Sequence, residues 1–216
     1  VLATGKKIKT QCSLVIDGHR VYYGIVKTPV YDDNGNIVGI TCMASDVTEK
    51  VNLEQKLLHY YRRDALTGLY NRNYLKKWKS GEFAKFPLAI LVLDCDHLKH
   101  INDNYGHKAG DELLGMVSAA IVANMGDNDI AFRVGGDEFA IICNETDEIR
   151  AKELVQNLHR ELNGLQLHGV TLSASIGYAC IKEHTREIHK VYAEADKMMY
   201  ENKRKYHEIC AKQRAA

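Results

Sequence analysis

The sequence predicts an α/β protein, a mixed sheet covered by helices, preceded by a small antiparallel sheet and a connecting helix. Three observations carry this prediction. From residue 64 to about residue 210, short apolar runs alternate with longer stretches whose apolar residues recur at helical spacing, the pattern of strands and covering helices. Residues 87–93 form an unbroken apolar run, which suits a strand buried on both faces. In the first 46 residues, Asp17-Gly18 and the stretch from Asp32 to Asn36 separate three apolar runs, and turns of this kind are strong hairpin signals.

Taken in order, residues 12–16, 21–26 and 37–44 read as three antiparallel strands. A sheet of about 45 residues has one face without a partner layer and is marginal on its own. Thr48, followed by Glu49, reads as the cap of a helix running to about residue 63. Its apolar residues Val51, Leu53, Leu57, Leu58 and Tyr61 fit either a seam that pairs with a second copy or a plain amphipathic connector. Then come a helix over 71–79, the strand over 87–93, a helix over 105–125, and strands 130–134 and 139–143 around Gly135-Gly136. A helix over 148–162, a strand over 170–181 and a helix over 188–206 complete the pattern. The resulting domain boundaries are 1–46, 47–63 and 64–216.

Composition narrows the function. The 216 residues are 45% hydrophobic and 26% charged, with 29 Lys and Arg against 28 Asp and Glu, a net charge of +1. That balance lacks the basic excess of a general nucleic-acid binder. No apolar run approaches the roughly 18 residues of a membrane span, and the first ten residues lack the apolar core of a signal peptide. The chain opens without Met and reads as a piece of something longer. Its six cysteines form no C-x-x-C pair and read as small buried hydrophobes in a reducing cytoplasm.

Acids gather in two places. Asp94 and Asp96 end the apolar run, and Asp137 and Glu138 follow the Gly135-Gly136 turn. Each acid alone could cap a turn or face water. Together at strand ends they could share a cation, and hard oxygen ligands of this sort suit Mg²⁺ completed by substrate phosphates. The glycines leave room for a bulky anionic ligand beside Asp137. Lys99, in a loop with free N–H groups, could meet phosphate oxygens across the metal. Asn102 and Asp111 offer an amide and a carboxylate suited to the edge of guanine, although turn chemistry and a favoured first-turn helix acid would also account for them.

The segment Arg133-Val134-Gly135-Gly136-Asp137-Glu138-Phe139 resembles the signature of the GGDEF family, the diguanylate cyclases. Three further stretches agree: Asp64 to Arg72 resembles the family's D-x-L-T opening, Asp94 to Asp111 its D-x-D and G-H-x-x-G-D segment, and Ala195 to Lys203 its closing helix. The resemblance implies a fold similar to the polymerase palm and the nucleotidyl cyclases. It also implies condensation of two GTP into cyclic di-GMP and two pyrophosphates, across a homodimer with one GTP per copy, in the cytoplasm. By position, Asp94, Asp137 and the Cys95 carbonyl would hold Mg²⁺, or Mn²⁺ in its place. Asp137 would help to deprotonate the 3′-hydroxyl, with Glu138 a further contact, and Lys99 would stabilise charge on the phosphates. Asn102, His107 and Asp111 would contact the nucleoside and Lys203 the triphosphate. Residues 1–46 resemble the last strands of a PAS sensor.

Some positions depart from the family pattern. Leu98 stands where Phe is usual, and Tyr206-His207 replaces a Gly-Arg pair, so a phosphate-binding arginine is lost or supplied by Arg204 or Lys205. The inhibitory R-x-x-D motif reads Gly126-Asp127-Asn128-Asp129, which predicts weak or no product inhibition there. The rival reading is a catalytically weak GTP-binding signalling module. A polymerase or adenylyl cyclase of related fold is disfavoured by the guanine contacts.

Overall fold

A computed structural model of the chain describes residues 1–78, 84–183 and 188–215, the side chains of 210–215 excepted. The chain divides into two compact units, Val1–Tyr60 and Tyr61–Ala216.

In the first unit, β1 (Ile8–Ile16), β2 (His19–Tyr31) and β3 (Ile37–Asp46) form an antiparallel meander in that order. Asp17 and Gly18 both take positive φ, 50° and 78°, as a two-residue hairpin turn requires. The Asp32 carboxylate accepts from the N–H groups of Asn34 and Asn36 and builds the second turn. Helix α1 (Thr48–Arg62) follows, with a correction to its expected start. The Asp46 carboxylate accepts from Thr48 N–H at 2.8 Å, while the Thr48 hydroxyl turns back to accept from Tyr22 N–H on β2. The helix buries none of its residues. Cys12 and Cys42 are exposed rather than buried, because no layer covers their sheet, whereas Cys95 and Cys143 are buried and Cys180 is half-buried.

The second unit is a five-stranded sheet in the order β10-β5-β7-β6-β4. Its strands are β4 (Tyr70–Asn71), β5 (Leu88–Cys95), β6 (Ile130–Gly135), β7 (Glu138–Asn144) and β10 (Ala174–Ile181). Only β4 runs parallel to its neighbour, β6, so the sheet is mixed. All eight residues of β5 are buried, as its apolar run predicts. Side chains alternate along it. Ala89, Leu91, Leu93 and Cys95 enter one core with α3 (Leu98–Tyr105), α4 (His107–Asn124) and α5 (Glu148–Gly164). Leu88, Ile90 and Val92 enter a second core with α2 (Arg72–Trp78) and α6 (Ile188–Ala215).

Several expected boundaries shift. The helix expected over 105–125 is two helices, broken at Gly106, whose φ of 85° ends α3 before α4 begins. The strand expected over 170–181 is split at Leu172-Ser173 into β9 (Val170–Thr171), which pairs with β8 (Gln166–Leu167), and β10. Lys79, expected at the end of α2, lies outside the described residues. Among the described residues no helix is long and apolar enough to cross a membrane.

Candidate active site

Strand β5 delivers Asp94 to the sheet end, only 5% exposed and directly opposite Glu138 on β7. The Gly135-Gly136 turn, with Gly136 at φ 52°, folds Asp137 back toward it. Cys95 N–H donates to the Asp137 carbonyl at 3.0 Å and ties the turn to the strand end. Burial pushes the Asp94 carboxyl above its ordinary value, and the charges of Asp137 and Asp96 add to the shift against the Lys203 hydrogen bond. Glu138 is pushed up in the same way, by loss of water and then by Asp94 and Asp137. These acids repel one another, which is the electrostatic setting a cation relieves.

Asp96 has a different task. Its oxygens accept from Ser173 Oγ at 2.9 Å and Ser175 Oγ at 3.0 Å, so this buried acid is satisfied by the sheet edge. Arg133 serves the turn: Nε and Nη2 donate to the Gly136 carbonyl at 3.1 and 2.9 Å, and Nη1 donates to Asp64 at 3.1 Å. Asp64 also accepts from the Thr67 N–H and hydroxyl. Neither Asp64 nor Arg133 is assigned a role by the sequence reading, although an arginine two residues before a glycine pair is the signal that could have shown one.

An open cleft of about 590 Å³ begins at this strand end, and Asp137, Lys99 and Lys203 all line it. Lys99 lies in the first turn of α3, not in the expected loop, so its free N–H neighbours belong to a helix N-terminus. Lys203 Nζ donates to Asp94 Oδ1 at 2.6 Å. From the region of the missing arginine, Tyr206 and His207 line the cleft, whereas Arg204 and Lys205 are exposed and do not.

The expected nucleoside residues sit together on α3 and α4, away from the cleft lining. Asn102 packs on Gly110, where any Cβ would collide with its amide. That glycine places Asn102 beside the turn of α4 that carries Asp111. Asp111 is the fifth residue of α4, past the first turn, which removes the macrodipole explanation for it; His107 opens the helix, and both are exposed.

Among the described residues, no group of three or more His, Cys, Asp or Glu side chains is placed to hold a metal. The donor set instead fits a cation held by two carboxylates and completed by phosphates, the habit of Mg²⁺. The Cys95 thiol is pushed well above its ordinary value by burial and by the surrounding acids, so the thiol is no ligand and only its carbonyl could serve.

At the R-x-x-D position, Arg150 fills the space that a side chain on Gly126 would enter. Its guanidinium pairs with Asp129 at 3.3 Å, and Gly126 N–H donates to the same carboxylate oxygen at 2.7 Å.

Fold and site define a nucleotide-handling α/β domain whose acids converge at one sheet end. The family model described as "Diguanylate cyclase, GGDEF domain" matches residues 61–208, and the chain belongs to that family. It is 31% identical over 168 residues to diguanylate cyclase DgcM of Escherichia coli, covering 75% of this chain and 41% of that protein. It is 33% identical over 162 residues to diguanylate cyclase DosC of the same organism, covering 70% and 35%. The chain thus spans under half the length of these curated relatives. The coiled coil and GGDEF domain of DgcB from Caulobacter crescentus, solved with c-di-GMP, superposes with a TM-score of 0.67 at 25% identity, covering 73% of this chain and 88% of that one. The mixed sheet with covering helices is the fold that the resemblance implies.

Proposed function

We propose that the chain is a diguanylate cyclase, joining two GTP into cyclic di-GMP. Each 3′-oxygen attacks the α-phosphorus of the other GTP. A 3′-O–P bond forms as the bond from the α-phosphorus to the leaving pyrophosphate breaks, and two such steps release two pyrophosphates and two hydroxyl protons. The observation that carries this reading is the tie between Cys95 N–H and the Asp137 carbonyl, which sets Asp137 beside Asp94 at the mouth of a cleft lined by Lys99 and Lys203.

Asp94, Asp137 and the Cys95 carbonyl are the groups that would hold Mg²⁺ or Mn²⁺, and a divalent cation there would neutralise phosphate charge and polarise the attacking hydroxyl. Asp137 takes up the 3′-hydroxyl proton, with Glu138 beside it. Lys99 stabilises charge growing on the phosphates, and Lys203 turns from Asp94 toward the triphosphate. Asn102, His107 and Asp111 hold the nucleoside of guanine. One GTP per copy requires a homodimer, to which α1 contributes an unburied apolar face. The three-stranded sheet before it is read as the end of a PAS sensor, and a cytoplasmic location follows from the substrate. A receptor that only bound GTP would have no use for Asp137 at the cleft mouth.

Incubation with GTP and Mg²⁺, followed by chromatographic separation of the products, tests the reading. Wild-type protein is expected to make cyclic di-GMP, and Asp137→Ala to lose about 10²–10⁴-fold in rate. Undiminished product from Asp137→Ala would sink the assignment.

A further inference from the structure

One polar chain in the cleft belongs to none of these roles. Tyr206 lies three residues beyond Lys203 on α6, half-buried, and lines the cleft. Its hydroxyl oxygen is 2.7 Å from His97 Nε2 and 3.2 Å from Ser173 Oγ. Ser173 has a single hydroxyl proton, and the Asp96 carboxylate, which only accepts, takes it at 2.9 Å. Tyr206 therefore donates at its Ser173 contact, and His97 Nε2–H donates to the tyrosine oxygen. The bonds run from the end of β5 through Tyr206 to the residue that opens α3.

His97 needs such support. Its φ of 67° is left-handed, a conformation that a residue other than glycine keeps only when its surroundings hold it. It precedes α3 without a side-chain cap bond, and its carbonyl accepts from Ile101 N–H at 2.9 Å. Whatever fixes His97 fixes the direction of the first-turn N–H groups and of Lys99. Helix α6 is a firm mount for the tyrosine. Asn202 Nδ2 donates to the Ile176 carbonyl at 2.8 Å, and Gly177 admits the helix so closely that a Cβ there would collide with the Ala195 carbonyl and the Met199 nitrogen.

The geometry points to Tyr206 as a positioning residue for the nucleotide's phosphates: it locks His97 and so aims the start of α3 at the triphosphate. This rests on the reading of the cleft as a GTP site and names the residue that sets its phosphate end.

The test uses 3′-deoxyGTP, which lacks the attacking hydroxyl and is not consumed, and GMP, which lacks the outer phosphates. Calorimetry in Mg²⁺ compares wild type, Tyr206→Phe, His97→Gly and the double variant. Loss of one hydrogen bond in Tyr206→Phe is expected to weaken 3′-deoxyGTP about 3–10-fold while GMP changes by less than about twofold. The KM for GTP rises by a similar factor with kcat within about twofold. In the His97→Gly background, where glycine accepts the left-handed backbone unaided, the Phe change adds less than about twofold. Equal losses for both ligands, an unchanged 3′-deoxyGTP affinity, an undiminished Phe effect in the glycine background, or no 3′-deoxyGTP binding by wild type would each overturn the inference. If the expected pattern appears but wild type makes no cyclic di-GMP, the cyclase reading fails and this one stands.

Discussion

Asp64 shows how a residue outside the cleft can govern it. Burial raises its carboxyl, but hydrogen bonds from Thr67 and Arg133 outweigh that, and the net shift is below the ordinary 3.8. A depressed folded pKa gives stability that is complete above the unfolded value and lost as the pH falls through the folded one. Asp64→Asn is therefore expected to lower the melting temperature at neutral pH, by about 1–3 kcal/mol of lost charged hydrogen bonding. The difference from wild type should shrink below pH 3.8, as acid titration followed by circular dichroism would show. At the R-x-x-D position Arg150 already neutralises Asp129 and occupies the arginine's space. Cyclic di-GMP is expected to inhibit only by competing with GTP, and non-competitive inhibition at low micromolar levels would contradict this. Asp94 and Asp137 were legible in the sequence because their signals are local, an apolar run and a glycine pair. The tasks of Asp96, Ser173 and Tyr206 were not, since their partners lie up to 109 residues away and only the fold unites them.

At the scale of elements, the contact between α6 and β10 depends on one glycine. Gly177 faces the backbone of α6, and backbone cannot yield as a flexible side chain can. Gly177→Ala is expected to cost about 1–3 kcal/mol by overpacking and to weaken the Lys203 and Tyr206 contacts together. A melt that matches wild type would show that the helix does not sit so close. Long, strongly patterned elements such as β5, α5 and α6 could be read in advance. Helix α3 could not, because Leu98 and Ile101 are its apolar residues among His, Asn, Asp and Lys. The two-residue strands β4, β8 and β9 are too short to show any period.

For the whole molecule, near-zero net charge conceals a polarised site: acids and lysines at one sheet end cancel in the sum but not in space. The split into two units was legible as a change of texture near residue 47, although contacts place it at residues 60 and 61. The reaction needs two copies, so specific activity is expected to rise with protein concentration until the dimer saturates. The central claim is that two GTP are joined head to tail with both pyrophosphates expelled. The most direct measurement is the stoichiometry of a single reaction with Mg²⁺, following GTP, pyrophosphate and cyclic dinucleotide together. The account predicts one cyclic di-GMP and two pyrophosphates for every two GTP consumed. Pyrophosphate without cyclic product, or GTP left intact by the folded dimer, would contradict it.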